Sequence, residues 1–311
     1  MDAYAVILDA PRQLSLRPLT LTPCGPSDLV VQIHYSGIST GTEKLFWSGE
    51  MPRFPGMGYP LVPGYESVGR VIDGGAEVTE RIGDWVFVPG ATCYQDAFGL
   101  FGGTAEKVVL PSARALPVSE SLGHEGVLFA LAATALHAIA GGKPPELIVG
   151  HGTLGRLLAR LTIAMGVPAP VVWDNKANRR IGGAGYEVLA PKDDDRKDYA
   201  TIYDASGFAD GIDTLIGRLA HSGELVLAGF YANRPSFAFP AAFQREARLR
   251  IAAEWKPEDL SATRDLIERG ALDLGGLITD VRPAGEADKA YPAAFHDTDC
   301  LKMVLDWSQT A

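Results

Sequence analysis

The chain has 311 residues, 47% of them hydrophobic and 21% charged, so its composition is that of a globular protein and not of a disordered or fibrous one. Its length suffices for two domains, each with its own hydrophobic core. The formal net charge of −10 argues against a nucleic-acid partner, because phosphate-backbone binders need clustered Lys and Arg.

The sequence carries no sign of a membrane segment or of secretion. No apolar run reaches the ~18–20 residues of a bilayer-crossing helix, and the start lacks the regions of a signal peptide. We therefore expect a cytoplasmic protein that does not span a membrane. Cys24, Cys93 and Cys300 lie far apart and form no Cys-x-x-Cys pair, which predicts reduced thiols and neither a disulfide framework nor a structural zinc lobe.

The first ~120 residues are rich in Val, Ile, Thr and aromatic residues and are interrupted by Gly and Pro, which is typical of a β-rich domain. The predicted strands are Tyr4–Leu8, Leu29–Tyr35, Ser67–Ile72 and Trp85–Val88. Apolar spacing then predicts a helix over Leu122–Ala140, which ends at a Gly-Gly-Lys-Pro-Pro run that indicates a domain junction.

From Glu146 onward apolar runs alternate with helical patterns, which predicts a parallel sheet with crossover helices. The predicted strands are Leu147–Gly150, Val171–Asp174, Thr201–Asp204, Leu225–Gly229 and Leu249–Ala253, and the helices are Thr153–Met165 and Asp210–Ala220. A last helix, Pro257–Arg269, precedes a mixed tail that ends in Leu301–Trp307. The pattern alone leaves open which domain this tail joins.

A glycine-rich turn follows the first of these strands and opens a helix: Gly150-His151-Gly152-Thr153-Leu154-Gly155. Gly150 would make the tight turn, Gly152 would let a pyrophosphate approach the backbone, and Gly155 would let helix pack on strand. A pyrophosphate would lie at the helix N-terminus, where N–H groups and the helix dipole favour an anion. All six residues are candidate cofactor contacts, with an unliganded turn as the alternative.

The second strand ends in Asp174, nineteen residues past the last glycine of the turn, where a Rossmann fold places the acid that binds the adenosine ribose. A carboxylate there repels a 2′-phosphate, which favours NAD over NADP. Arg179 and Arg180 could meet such a phosphate, so NADP stays the less favoured alternative. Because ligands bind at the carboxyl ends of parallel strands, we expect Ser206 and Gly229 to line the nicotinamide half.

A β-rich first domain, a Rossmann domain and a return segment together resemble the medium-chain dehydrogenase/reductase superfamily, over essentially the whole chain. The matching runs are Ser36-Gly37-Ile38-Ser39, Gly41-Thr42-Glu43, Pro63-Gly64-Tyr65-Glu66-Ser67-Val68-Gly69-Arg70-Val71 and Gly83-Asp84-Trp85-Val86. The resemblance implies an α/β protein with a GroES-like catalytic domain, residues 1–122 completed by 255–311. It also implies a Rossmann NAD-binding domain with a doubly wound parallel sheet, residues 123–254.

In zinc-using members of the superfamily the first motif carries a cysteine ligand and the second a His-Glu pair. Here Ser39 stands at the cysteine position, with one residue inserted, and Tyr65 stands at the histidine position. Ala130 stands where another cysteine ligand is expected. Catalytic zinc needs about three His, Cys or carboxylate donors, so we predict an enzyme without zinc.

Two runs, Gly41-Thr42-Glu43-Lys44-Leu45-Phe46-Trp47-Ser48-Gly49 and Gly150-His151-Gly152-Thr153-Leu154-Gly155-Arg156-Leu157, resemble the 3-hydroxyethyl (bacterio)chlorophyllide a dehydrogenases of bacteriochlorophyll synthesis. This resemblance implies NAD-dependent oxidation of the ring-A 1-hydroxyethyl group to acetyl, with a (bacterio)chlorophyllide as substrate. Such a carbinol is benzylic in character, so the ring can spread the positive charge left by the departing hydride. The protein then has to position the carbinol carbon and accept one proton.

The candidate catalytic residues lie in the motifs that surround the reacting centre in the superfamily: Ser39, Thr42, Glu43, Lys44, Tyr65 and Glu66. Thr42 could relay a proton toward the ribose. Alternatively, Tyr65 only fills the space of a metal, Glu66 pairs with a nearby base, and Lys44 is a solvated surface charge. His137 lies on an apolar helix and is predicted to be a core histidine and not a base. The identity of the proton acceptor stays open at this stage.

Large flexible and aromatic side chains are concentrated between Gly and Pro breaks in a predicted loop: Phe46, Trp47, Met51, Phe54, Met57 and Tyr59. Such a loop could stack on a flat apolar macrocycle or could pack under itself. Arg53 is the candidate partner of a propionate group.

Two other functions compete with the dehydrogenase hypothesis. One is a zinc-free NADPH quinone or enone reductase of the same superfamily, which Asp174 disfavours. The other is a non-catalytic tetrapyrrole carrier, which the glycine turn and Asp174 disfavour because a carrier has no use for a cofactor. A homodimer is the default expectation for a soluble enzyme.

Overall fold

The computed structural model describes residues 1–53, 55–252 and 254–308. The chain divides into unit 1, Met1–Ala130 with Gly275–Ala311, and unit 2, Leu131–Leu274. The expected boundaries differ from these, since residues 123–130 belong to unit 1 and 255–274 to unit 2. One reason is that Asp259 Oδ2 lies 2.8 Å from His137 Nδ1, which joins two helices of unit 2. This contact also agrees with a structural interpretation of His137.

Unit 1 begins as a β-rich domain with one short helix. In chain order its elements are β1 (Asp2–Ala10), β2 (Gln13–Thr20), β3 (Asp28–Ile38), α1 (Thr42–Ser48), β4 (Ser67–Gly74), β5 (Trp85–Val88), β6 (Lys107–Pro111) and β7 (Leu116–Pro117). The four strands predicted here are confirmed, within β1, β3, β4 and β5. β1 and β2 pair as an antiparallel hairpin.

Unit 2 is a parallel sheet with helical crossovers, as predicted. Its elements are α2 (Phe129–Ala140, which begins in unit 1), β8 (Leu147–Val149), α3 (Thr153–Ala164), β9 (Val171–Trp173), β10 (Glu187–Leu189), β11 (Tyr199–Asp204), α4 (Ile212–Arg218), β12 (Leu219–Leu227), α5 (Phe239–Gln244), β13 (Arg248–Ile251) and α6 (Pro257–Glu268). The order β10-β9-β8-β11-β12-β13 is the doubly wound order of a Rossmann fold. Ala253, the predicted end of the last strand, lies outside the described residues.

The helix predicted over Leu122–Ala140 is wrong in its first turns. Glu120–Leu128 forms 3₁₀ turns interrupted at Gly123 (φ 50°, ψ −127°), and the α-helix begins only at Phe129. Among the described residues, the run Glu120–Ala140 is nevertheless long and apolar enough to cross a membrane by length and composition, contrary to expectation. Of its most apolar window, 56% is buried inside the protein, which is also the pattern of a core helix.

The tail of the chain returns to unit 1 as β14 (Asp280–Pro283), α7 (Ala287–His296) and β15 (Met303–Asp306). β15 pairs antiparallel with the end of β3, from Tyr35 to Ile38, while β6 pairs with residues 28–32 of the same strand. The sheet order is β14-β15-β3-β4-β5-β7, with β6 on β3. The tail joins unit 1 because Met303, Leu305 and Trp307 are buried in its core.

β3 and β4 approach so closely that one position requires glycine. A Cβ on Gly69 would lie 2.0 Å from the carbonyl oxygen of Gln32, a backbone atom that cannot move aside. The pairing of these two strands therefore excludes every larger residue at position 69.

Replacing Gly69 by Ala is expected to lower the free energy of unfolding by about 3 kcal/mol, because the strands must separate to admit the methyl group. Gly285→Ala is the matched control in the same unit, since a Cβ there meets nothing within 4 Å. Urea unfolding followed by tryptophan fluorescence measures both variants. Equal midpoints for the two would contradict the close approach.

Candidate active site

The end of β3 and the start of α1 bring the predicted catalytic hydroxyl groups of Ser39 and Thr42 together with that of Tyr65. Tyr65 Oη lies 2.8 Å from Ser39 Oγ and 3.4 Å from Thr42 Oγ1. The backbone N–H of Thr42 donates to Ser39 Oγ at 3.4 Å. Ser39 is buried, whereas Tyr65 and Thr42 are half-buried. We call these three side chains the hydroxyl cluster.

The phenol of Tyr65 is neutral at physiological pH. Burial, and secondly the charge of Glu66, raise the pKa of Tyr65 well above its usual value of about 10. A neutral phenol can donate a hydrogen bond or pass on a proton, but it cannot act as a general base that is deprotonated before the reaction. This restricts Tyr65 to holding an oxygen atom or relaying a proton.

Glu43 is a fully buried carboxyl group that follows the hydroxyl cluster in α1. Its Oε1 accepts a hydrogen bond from the backbone N–H of Ser39 at 3.1 Å, and its Oε2 accepts one from Tyr291 Oη of α7 at 2.7 Å. Burial raises the pKa of Glu43 from 4.5 to about 7, against the opposing effect of these two hydrogen bonds. The sequence placed Glu43 in a motif but did not reveal a carboxyl that titrates near neutrality.

Two other candidate catalytic residues, Glu66 and Lys44, contact the return segment. Glu66 forms a buried ion pair with Lys302, whose Nζ also donates to the carbonyl oxygen of Ile38 at 3.2 Å. Glu66 thus pairs with a base, one of the two alternatives that its motif allowed. Lys44 Nζ donates to the carbonyl oxygen of Phe295 at 3.5 Å and is half-buried, so it is not a fully solvated charge.

The residues predicted to bind the substrate have different environments. Phe46 is fully buried in a core with Leu8, Leu45, Met51 and Leu61, so its ring packs inside unit 1, and its predicted contact with a substrate stays a prediction. Tyr59 Oη donates to the carbonyl oxygen of Phe46. Trp47 is half-buried and packs against Phe295, with ring centroids 5.5 Å apart, and Arg53 is exposed. Phe54 lies outside the described residues.

An apolar strip formed by Phe98, Leu100 and Phe101 reaches Tyr65 through Phe101, and none of these three residues was predicted from the sequence. The Phe101 ring contacts the Tyr65 ring edge-on, with centroids 5.1 Å apart. Phe98 is 46% exposed, and Leu100 and Phe101 pack against the core around Phe46. The signal was present as the run Phe-Gly-Leu-Phe-Gly-Gly, in which large apolar residues alternate with residues that favour turns.

In unit 2 the glycine-rich turn joins β8 to α3, as predicted. Gly150 has φ +96°, and a Cβ on Gly155 would lie 1.8 Å from the carbonyl oxygen of Gly150, so both positions require glycine. A Cβ on Gly152, the N-cap of the 12-residue helix α3, would meet nothing within 4 Å. This open backbone fits a pyrophosphate group. Thr153 is buried and Leu154 is half-buried beside it.

Asp174 follows β9 and holds the glycine-rich turn. Its Oδ2 accepts a hydrogen bond from the backbone N–H of His151 at 2.9 Å, and its Oδ1 accepts one from Lys176 N–H at 2.8 Å. Both oxygens retain lone pairs for a ribose hydroxyl. Arg180 Nη1 donates to the carbonyl oxygens of Asp174, at 3.1 Å, and Asn175, at 3.2 Å.

The ends of β11 and β12 are joined through the buried Asp204. Its Oδ1 accepts hydrogen bonds from Ser206 N at 2.8 Å and Ser206 Oγ at 2.6 Å, and its Oδ2 accepts one from Tyr231 Oη. The N–H of Gly229 donates to the carbonyl oxygen of Asp204 at 2.8 Å. Burial raises the pKa of Asp204. Ser206 and Gly229 therefore lie side by side at the carboxyl ends of parallel strands, where the fold binds ligands.

Comparison with known proteins identifies the family. Residues 25–120 match the alcohol dehydrogenase GroES-like domain. The 2-desacetyl-2-hydroxyethyl bacteriochlorophyllide A dehydrogenase of Rhodobacter capsulatus is 59% identical over 99% of both chains, and that of Cereibacter sphaeroides is 58% identical over 100% of both. The chain belongs to the bacteriochlorophyllide a dehydrogenase family of the medium-chain dehydrogenase/reductase superfamily. An E. coli CFT073 alcohol dehydrogenase solved with NADH shares the fold, with a TM-score of 0.84 at 18% identity over 98% of this chain and 99% of its own.

The position that holds zinc in other members of the superfamily does not fit a metal in this chain. Ser39 and Tyr65 offer neutral hydroxyls there, and Ala130 offers a buried methyl group. The carboxylates of the same motifs, Glu43 and Glu66, accept hydrogen bonds from Tyr291 and Lys302. In the described part of the chain no three His, Cys, Asp or Glu residues are grouped to hold a metal ion. Zinc requires about three such donors.

The raised pKa of Glu43 gives the stability of the protein a defined pH dependence. Between pH 4.5 and about 7 the native state holds a proton on Glu43 that the unfolded chain has lost. The free energy of unfolding therefore falls as pH rises through this window, by up to about 3 kcal/mol. Below it the side chain is protonated in both states, and the contribution is fully present.

Glu43→Gln keeps the size and the acceptor oxygen of the side chain but removes the titration. The unfolding free energy of this variant, minus that of the wild type, is expected to rise by about 3 kcal/mol between pH 4.5 and 7.5 in urea titrations. Glu50→Gln, at an exposed residue just after α1, is the control for loss of a surface carboxylate. A pH-independent difference for Glu43→Gln would contradict the raised pKa.

Proposed function

We propose that this protein oxidises the ring-A 1-hydroxyethyl group of (bacterio)chlorophyllide a to an acetyl group with NAD, a late step of bacteriochlorophyll a biosynthesis. The observation that carries the proposal is full-length identity of 59% and 58% to two enzymes named for this type of substrate. The structure adds a hydroxyl cluster without metal ligands in unit 1 and a dinucleotide fingerprint in unit 2.

Unit 2 would hold the cofactor through its glycine-rich turn, with the pyrophosphate at the open backbone of Gly152 and the adenosine ribose at Asp174. We propose NAD over NADP because a 2′-phosphate beside Asp174 would meet a like charge. Arg180 donates to backbone carbonyls of its own turn. Bound NAD would supply the acceptor for the hydride that leaves the carbinol carbon.

The hydroxyl cluster would bind the carbinol oxygen and take its proton. The neutral Tyr65 Oη, held by Ser39, donates a hydrogen bond to that oxygen, while the carbinol O–H donates to Thr42 Oγ1 and the Thr42 hydroxyl releases its own proton to solvent water. Thr42 is half-buried, so the relay ends at a group that solvent can reach. The electron pair of the breaking C–H bond leaves with the hydride, and the O–H proton leaves through the relay, so the carbinol becomes a ketone.

An absorbance assay tests this function directly. Purified protein with NAD and 3-hydroxyethyl bacteriochlorophyllide a is expected to shift the long-wavelength band of the pigment to the red, since the new acetyl group joins the conjugated system. Tyr65→Phe is expected to lower the turnover rate by about 100-fold, whereas Tyr4→Phe, at an exposed residue of β1, should not change it.

The other outcomes of this assay identify the competing functions. Turnover of a quinone or enone with NADPH, without any pigment shift, would replace the proposal by the reductase function. Tight binding of the pigment without turnover under any cofactor would indicate a carrier.

We further infer that the protein forms a homodimer through the edge of the unit 2 sheet. β13 is the edge strand, and its Ile251 is 78% exposed. On α5 nearby, Phe243 is 69% exposed and shares a groove with Leu249 of β13. Exposed apolar patches of this kind mark association surfaces. A second copy is the favoured occupant, because an edge strand pairs with its own symmetry mate about a two-fold axis.

Size-exclusion chromatography with light scattering is expected to give twice the mass of the chain for the wild type. Ile251→Glu should give the mass of one chain, because it places a charge in the apolar contact. Ile82→Glu, at a 48% exposed residue of unit 1, is the matched control. A monomeric wild type at micromolar concentration would exclude this dimer.

A further inference from the structure

The histidine of the glycine-rich turn is an internal residue. His151 is fully buried, although it lies between two glycines at the proposed pyrophosphate site. Its Nδ1 lies 2.6 Å from the carbonyl oxygen of Arg179, and its Nε2 lies 2.8 Å from Tyr186 Oη. The carbonyl can only accept, so Nδ1 carries the proton and Nε2 accepts from the tyrosine hydroxyl. Burial lowers the pKa of His151 to about 4, which keeps the ring neutral.

Arg156 makes a second set of contacts between the same two segments. It is buried in the first turns of α3, and its guanidinium donates to four backbone carbonyls rather than to a carboxylate. Nε donates to His151 O at 3.2 Å and Nη1 to Gly182 O at 3.0 Å. Nη2 donates to Ile181 O at 2.9 Å and to Arg179 O at 3.4 Å. A planar guanidinium reaches several carbonyls in fixed directions, which an ammonium group cannot do.

Both residues hold the segment that follows β9, residues 174–182, which we call the Asp174 loop. The loop carries the proposed ribose acceptor Asp174 at one end, and Arg179 and Arg180 further along. Within it, Arg180 Nη1 binds the carbonyl oxygens of Asp174 and Asn175. The backbone position of Arg179 is held by His151 and Arg156 together. These contacts hold the loop in a conformation in which its carboxylate is bound to the glycine-rich turn.

We propose that His151 and Arg156 are positioning residues that make the site selective for NAD over NADP by holding the Asp174 loop in this conformation. The inference rests on the proposed function, in that it assumes a nicotinamide dinucleotide at the glycine-rich turn. A 2′-phosphate needs guanidinium donors turned toward it and no carboxylate at the ribose. Release of the loop would free Asp174 to move away and let the two arginines turn toward a phosphate. His151 and Arg156 thus act on the cofactor through the loop.

The test is the ratio of dissociation constants for NADH and NADPH, measured with the full-length protein by isothermal titration calorimetry. Arg156→Met removes all four hydrogen bonds. Arg156→Lys keeps the charge but loses the planar guanidinium that reaches several carbonyls at once. Both are expected to lower the NADH preference by about 10- to 100-fold, through weaker NADH and stronger NADPH binding. Tyr186→Phe, at a half-buried residue, removes only the donor to His151 Nε2 and is expected to shift the ratio less, in the same direction.

Two comparison variants separate positioning from charge. Asp174→Ala removes the acceptor itself and is expected to set the upper limit of the shift. Arg160→Met removes a positive charge from the same helix, one turn beyond Arg156, where the guanidinium donates to Asp273 O at 2.7 Å. It is expected to keep the wild-type ratio. If Arg156 acted only as a charge, Arg156→Lys would behave as wild type, and the positioning role of Arg156 itself would be wrong.

The measurement also distinguishes failure of this inference from failure of the proposed function. A wild type that binds neither nucleotide, or prefers NADPH, would overturn the cofactor assignment. A wild type that prefers NADH, with Arg156→Lys and Tyr186→Phe both at the wild-type ratio, would overturn the positioning role and leave the function intact. Should Arg156→Met fail to fold, the lysine and phenylalanine variants still decide the question.

Discussion

In unit 1 the buried ammonium group of Lys302 contacts the Glu66 carboxylate and the carbonyl oxygen of Ile38, and this contact joins the return segment to the ends of β3 and β4. Burying two charges costs several kcal/mol of desolvation, which their attraction offsets only at close range. Gly37 leaves room for the Glu66 carboxylate to approach Lys302 closely, because a Cβ on Gly37 would lie 2.4 Å from Glu66 Oε2. β15, which begins at the residue after Lys302, pairs with the end of β3, and Ser39 directly follows Ile38 there.

Three acidic side chains hold the backbone just after the ends of strands. Glu43 accepts from the backbone N–H of Ser39, Asp174 from that of His151, and Asp204 from that of Ser206. Hydrogen bonds from N–H groups to a carboxylate are among the stronger ones in proteins. Each acid therefore organises the turn on which the candidate site depends. Loss of one of them would alter the geometry of the site as well as remove a contact.

The proposed mechanism gives the hydroxyl cluster the task of binding the carbinol oxygen, at positions where zinc-using members of the superfamily carry metal ligands. Ser39 Oγ and Tyr65 Oη lie 2.8 Å apart, within hydrogen-bond distance of each other. The raised pKa of Tyr65 makes it a donor to an oxygen atom. This arrangement suits a substrate whose own conjugation stabilises the developing charge. Phe101 of the apolar strip places an aromatic ring beside that donor.

The sequence alone determined β1, β3, β4 and β5 of unit 1 and the alternation of strands and helices in unit 2, because these depend on local periodicity and on residues such as Gly155 that permit one backbone path. It did not reveal β2, β6, β7, β10 or β14. It also determined the absence of Cys and His at the metal positions. Only the tertiary structure decided that Phe46 is core and that His151 is internal. It also supplied Tyr291 and Lys302, which reach their partners Glu43 and Glu66 across 248 and 236 residues of chain. Such contacts depend on how distant segments of the chain pack together, which a local sequence pattern cannot predict.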